Sequence, residues 1–165
     1  MRTVVVGLGN PILSDDGVGI SIAALVRERL AAEDAIDVIE AYAGGLRLME
    51  AIAGYERAII VDAVKSGANP PGTVTSFPLH AAAKSRHTLC AHDGDLATVL
   101  TLGRDLGLAL PQHVEIIGIE ADDVESFGEE LSAAVHAALP VAVAEVLRRL
   151  HQEEAPVTGI RQGPD

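Results

Sequence analysis

The sequence predicts an α/β fold of three layers: a twisted, mostly parallel sheet of about five strands with one antiparallel edge strand, flanked by helices. Three observations lead there. Thr3-Val-Val-Val6 is a β-branched run without charge, the signature of a buried parallel strand. A turn rich in Gly, Asn and Pro follows it, and behind that turn apolar residues recur at helical spacing. The same alternation returns later in the chain, and alternating strands and helices give a parallel sheet covered on both faces.

The elements follow in order. After the first strand, Gly7, Gly9, Asn10 and Pro11 form the turn, and a helix is expected from Asp16 to Ala32 on Val18, Ile22, Leu25, Val26 and Leu30. Ser14, Asp15 and Asp16 stand where a helix N-cap belongs. Ile36–Glu40 reads as a second strand, Ala41–Gly45 as a turn and Leu46–Ala53 as a second helix. Arg57–Val64 is a third strand, interrupted by Asp62. Lys65–Gly72, with two glycines and two prolines, is a loop. Thr73–Leu79 alternates polar and apolar residues after this short connection, which marks it as the antiparallel edge strand.

His80–His92 shows no clear period and reads as a loop, with a possible helical turn at Ala81–Lys84. Asp93 is placed to cap a third helix running to Leu106. Val114–Ile119 is a further strand and Glu120–Phe127 an acidic loop. Glu129–His151 is a long helix in which Pro140 should introduce a kink or a break. Residues 1–152 are expected to form one domain. The stretch from Glu153 to Asp165, poor in apolar residues and holding two prolines, is expected to be a disordered tail.

Composition bounds the function. Hydrophobic residues make up 48% of the 165, but aromatics only 2%, so the core must be built from Val, Ile, Leu and Ala. The net charge of −12 argues against nucleic acid and anionic membranes as partners, and favours a basic partner or one bearing a metal cation. One cysteine, Cys90, excludes an internal disulfide and a Cys-only zinc site. There is no apolar run of the ~20 residues a membrane span requires, and no basic-then-apolar N-terminus of the signal-peptide kind. A cytoplasmic protein is expected.

Three polar positions fall near the strand-to-helix turns where open α/β sheets bind ligands. Asp16 follows the first strand, Asp62 ends the apolar part of the third, and His92 precedes the third helix. Each has a plainer reading. The acid pair Asp15–Asp16 can cap a helix and answer its dipole. Asp62 can order a loop, and a lone histidine before a helix is commonly a surface residue. His80 and His87 are competitors of His92 with no better claim. Taken together, two carboxylates and an imidazole suit a borderline divalent metal such as zinc or nickel with open positions, or a general acid/base set.

Four segments resemble the nickel–iron hydrogenase maturation endopeptidases. Gly7-Leu-Gly-Asn-Pro-Ile-Leu-Ser-Asp-Asp-Gly-Val-Gly19 looks like the opening motif of that family. Ile60-Val-Asp-Ala63 with the Pro71-Gly72 turn looks like its second motif. His92-Asp-Gly-Asp-Leu-Ala-Thr-Val-Leu100 looks like its third, and Ile117-Gly-Ile-Glu120 fits its late strand. The resemblance spans roughly Met1 to Leu150. It departs at Glu40-Ala-Tyr-Ala-Gly-Gly45, where the family often has Asp-Gly-Gly-Thr-x-Gly.

The resemblance implies an endopeptidase that clips a C-terminal extension from a hydrogenase large-subunit precursor after nickel delivery. It assigns the metal-contacting and catalytic positions to Asp16, Asp62 and His92. These would meet nickel carried by the precursor, with no permanent cofactor of their own. It gives Cys90 no role, and the spacing of Cys90 from His92 makes a poor nucleophile–base pair. Two other readings stay open: a non-enzymatic nickel-binding or chaperone module, and a nucleotide-binding domain. The second lacks a third glycine, since Ile12 stands at that place, and no Lys-Ser or Lys-Thr follows a phosphate loop.

Overall fold

In a computed structural model, residues 1–30, 35–79 and 96–152 are described. Five strands form one sheet: β1 (Thr3–Leu8), β2 (Ile36–Ala41), β3 (Arg57–Val64), β4 (Val74–Pro78) and β5 (His113–Glu120). Their order is β2-β1-β3-β5-β4. The first four in that order run parallel, and β4 pairs antiparallel with β5 at the edge, Val74 facing Ile119 and Phe77 facing Ile116. Among the described residues the α-helices are α1 (Val18–Arg29), α2 (Gly45–Ile52), α3 (Leu96–Asp105) and α4 (Ala133–His151).

The period of two along each strand divides the core into two layers. Val5, Ile59, Val61, Ile117 and Ile119 point to one face and pack with Ile22, Val26, Val135 and Val146 from α1 and α4. Val4, Val6, Ala58, Ile60 and Ile116 point to the other and pack with Leu48, Ile52, Leu96 and Leu100 from α2 and α3. Both layers are aliphatic, as the scarcity of aromatics requires.

Several boundaries differ from the sequence reading. β1 continues through Gly7 to Leu8, because the glycine accommodates a close neighbour without leaving the strand. A 3-10 turn, Ser14–Gly17, precedes α1, and neither Ser14, Asp15 nor Asp16 caps a helix with its side chain. The N-cap reading of the acid pair is therefore replaced: Asp15 makes long-range contacts and Asp16 bonds back to Asn10 in the turn. β3 runs through Asp62 to Val64 without interruption. α4 begins at Ala133, after the segment from Glu129 to Ser132 has been drawn into contacts with the Ser14–Gly17 turn, and it continues through Pro140 without a break. The expected helical turn at Ala81–Lys84, the Asp93 cap and the tail from Glu153 onward lie outside the described residues. No helix among the described residues is long and apolar enough to cross a membrane.

Candidate active site

The carboxyl edge of the sheet is built by close backbone packing. Gly9 adopts φ +148°, and a Cβ there would sit 1.9 Å from the Asp16 carbonyl oxygen. A Cβ on Gly19, in the first turn of α1, would meet the carbonyl oxygens of Leu8 at 2.3 Å and Val61 at 2.4 Å. Glycine at both places lets the 3-10 turn and α1 lie directly on the ends of β1 and β3. These glycines seat a turn; their missing side chains are replaced by the chain's own backbone and do not open a phosphate cradle.

That packing buries Asp15 and Asp16 fully, and the two carboxylates part. The Asp15 carboxylate receives four hydrogen bonds from the segment between β5 and α4. Its Oδ2 accepts from Asp122 N–H at 2.9 Å, Asp123 N–H at 3.1 Å and the Ser132 hydroxyl at 2.8 Å. Its Oδ1 accepts from Ser132 N–H at 2.7 Å. Asp15 is thus a clasp holding the start of α4 to the turn. Asp16 points the other way: its Oδ2 accepts from Asn10 N–H at 3.1 Å, inside the turn that follows β1.

Asp62 lies within β3, opposite Gly118 of β5, and is 1% exposed. By strand alternation it shares the face of Ala58 and Ile60, the face on which α3 packs. Its Oδ1 accepts from Ala63 N–H at 2.8 Å. Burial pushes its pKa well above the usual carboxylate range, the charge of Asp16 pushes it further, and the Ala63 bond opposes both. The structure therefore brings Asp16 and Asp62 into electrostatic contact, with Asp62 buried within the sheet. A buried acid whose pKa is raised beside a second carboxylate holds its proton more tightly than a free one, and can hand that proton over or exchange it for a cation.

His92, with His80, His87 and Cys90, lies outside the described residues. Leu96, which opens α3, packs on the same core face as Ile60. Among the described residues no group of three His, Cys, Asp or Glu side chains is arranged to hold a metal ion.

Glu120 ends β5 as Asp62 falls near the end of β3, but its chemistry is different. Its carboxylate accepts from Ser66 N–H at 3.0 Å, Gly67 N–H at 2.8 Å and the Ser66 hydroxyl at 2.8 Å, which pins the loop between β3 and β4. Lys65 reaches from that loop to the carbonyls of Ala121 and Asp122. Sequence reasoning read Asp15 only as a helix cap and gave no contact to Glu120 or Lys65. The one signal for Glu120 was an acid closing an apolar strand.

Comparison with known proteins agrees with this architecture. The family model of the hydrogenase maturation proteases (HycI) matches residues 20–149. The hydrogenase 2 maturation protease of Escherichia coli K12 is 28% identical over 153 residues, covering 92% of each chain. The structure of the hydrogenase maturating endopeptidase HybD from E. coli superposes with a TM-score of 0.78 at 27% identity, over 91% of this chain and 92% of that one. The nickel–iron hydrogenase maturation protease HybD from Thermococcus kodakarensis gives 0.69 at 29% identity, over 92% and 100%. Family match and shared fold agree across nearly the whole length, and this chain belongs to the hydrogenase maturation protease family.

Proposed function

We propose that this peptidase removes the C-terminal extension of a nickel–iron hydrogenase large-subunit precursor once nickel is in place, and that Asp16, Asp62 and His92 meet the precursor-borne nickel. The observation that carries this reading is the pairing of buried acids at the carboxyl edge of the sheet. Burial and then the charge of Asp16 push the Asp62 pKa well above the usual carboxylate range. A divalent cation received between the two acids displaces the proton and offsets the repulsion of their charges.

In this reading nickel belongs to the substrate. Asp16 and Asp62 supply oxygens and His92 a nitrogen, a donor set suited to a borderline metal that keeps its other ligands on the precursor. Engagement fixes the scissile peptide beside the two carboxylates. One of them is then placed to act as base toward water and to return the proton to the leaving amine. A nickel-binding module without peptidase activity would use the same three residues but leave the precursor intact.

The test is to mix the purified protein with nickel-loaded and nickel-free precursor and to weigh the products by mass spectrometry. Loss of a C-terminal peptide from the loaded form alone is the expected result. Cleavage of both forms would remove the nickel check. Cleavage of neither would overturn the peptidase reading. Asp16→Asn and His92→Ala are expected to fold and to leave the loaded precursor uncut; full activity in both would sink the site assignment.

A further inference from the structure

Phe127 is one of only two phenylalanines in the chain, and it is 87% exposed. It is not on a loose loop. The Asp123 carboxylate accepts from Glu125 N–H at 2.9 Å and Ser126 N–H at 3.0 Å on one side of it. On the other side Gly128 bridges to Leu13 in parallel register: Gly128 N–H donates to Ile12 O at 2.9 Å, and Ser14 N–H donates to Gly128 O at 2.8 Å. The same register sets Phe127 beside Ile12, itself 48% exposed. Ser14 is held at φ +49°, a left-handed conformation unusual for a residue with a side chain. A strained turn and a pinned loop together hold two bare apolar side chains out into water, on the turn that also carries Asp16.

The exposed ionisable side chains flanking Phe127 in the chain are acidic, with Lys65 on the Ala121 and Asp122 carbonyls and His136 in the adjoining groove as the basic groups nearby. Glu125, Glu129 and Glu130 are exposed next to Phe127. Asp123, its pKa lowered to about 2 by the bonds from Ser126 and Glu125, stays ionised. From Glu129 and Glu130 a groove of about 580 Å³ continues between α1 and α4, lined by Leu25 and Leu139. Exposed apolar anchors ringed by fixed charge are the makeup of a recognition surface.

We infer that the Ile12–Phe127 patch is the docking surface for the precursor, and that it takes a segment of that protein in which an apolar side chain is flanked by Lys or Arg. This rests on the proposed function above and adds which surface recognises the substrate. Ile12 precedes Asp16 on the same turn, so a segment docked there is held on the element that carries one of the buried acids. The positive flank follows from the acidic ring and from the net charge of −12.

The experiment measures steady-state cleavage of full-length nickel-loaded precursor by wild type, Phe127→Ser, Glu125→Lys and Val141→Ser. Val141 is also bare, 60% exposed, but lies on the outer face of α4. The expected result is a KM raised about tenfold in Phe127→Ser with kcat kept, the size of one lost aromatic anchor. Glu125→Lys should raise KM and flatten its rise with salt, and Val141→Ser should match wild type. Wild-type cleavage with an unchanged KM in Phe127→Ser overturns the docking surface and leaves the peptidase standing. A wild type that sediments as a dimer, turned monomeric by Phe127→Ser without change in KM, assigns the patch to a second copy and equally overturns it. Absence of any wild-type cleavage overturns the peptidase, and the docking surface with it.

Discussion

Asp15 grips Ser132 with both carboxylate oxygens: Oδ1 takes the backbone N–H at 2.7 Å and Oδ2 the hydroxyl at 2.8 Å. The residue at the start of α4 is thereby tied to the turn that presents Asp16. Removal of Asp15 leaves three partly buried backbone donors, those of Asp122, Asp123 and Ser132, without this acceptor, whereas removal of the Ser132 hydroxyl takes away one bond. Asp15→Ala is expected to cost about 3 kcal/mol or more, and Ser132→Ala about 1 kcal/mol. Urea unfolding curves check both. Asp15→Asn should fall between them, because an amide nitrogen must face a donor that a carboxylate oxygen accepted.

Asp62 makes stability depend on pH in an unusual direction. Its native pKa is raised, mainly by burial and then by Asp16. Between the unfolded value of about 3.9 and the raised native value, the native state keeps a proton that the unfolded chain has released. Stability contributed by this group is therefore full below the unfolded pKa and is lost as pH rises toward the native one. Asp62→Asn cannot ionise and lacks this slope. Thermal melts should show it matching wild type at acid pH and exceeding it at neutral pH, while its cleavage of the precursor is abolished. A variant melting below wild type at neutral pH would show that the Asp62 charge is satisfied after all.

The sheet and the acid pair were legible because their signals are local. Apolar strands announce themselves by composition, and a carboxylate at the end of one is conspicuous. The signals that failed depend on partners far along the chain. Ser-Asp-Asp reads as a helix cap, yet Asp15 is committed to Asp122, Asp123 and Ser132, and a local pattern carries no trace of that. The start of α4 moved for the same reason. Asp62 was read inside an apolar strand and Glu120 as the start of an acidic loop, yet both lie within strands. What separates them is the set of donors that Ser66 and Gly67 bring to Glu120 alone, a matter of loop folding.

The opening glycines can be told apart by substitution. Gly19→Ala pushes a methyl group into two strand-end carbonyls, at 2.3 and 2.4 Å, that cannot retreat without unseating β1 or β3. A cost of about 3 kcal/mol or more is expected, with activity falling as the Asp16 turn shifts. At Gly128 a Cβ meets nothing within 4 Å, so Gly128→Ala should stay within about 0.5 kcal/mol of wild type. Equal stability in the two variants would contradict the view that the glycines seat the turn on the sheet.

The opposite edge of the sheet offers a test that separates folding from chemistry. Arg57 is 3% exposed at the start of β3. It donates to Glu115 at 3.1 Å and to the Arg149 carbonyl at 2.7 Å near the end of α4. Glu115 also receives Arg149 at 3.0 Å, and Arg149 reaches Ser76 on β4 at 2.6 Å. These groups join β3, β5, β4 and α4 where Asp16 and Asp62 are absent. Arg57→Ala leaves Glu115 with one cation instead of two and the α4 carbonyl without its donor, which should cost about 3 kcal/mol, the lower end for breaking a buried pair. Because the network stands at the amino edge, kcat and KM for the folded fraction should match wild type below the variant's own melting range. A fall in kcat at a temperature where the variant is fully folded would show that the two edges of the sheet are coupled, and Arg57 would then have to be counted among the residues that position the acids.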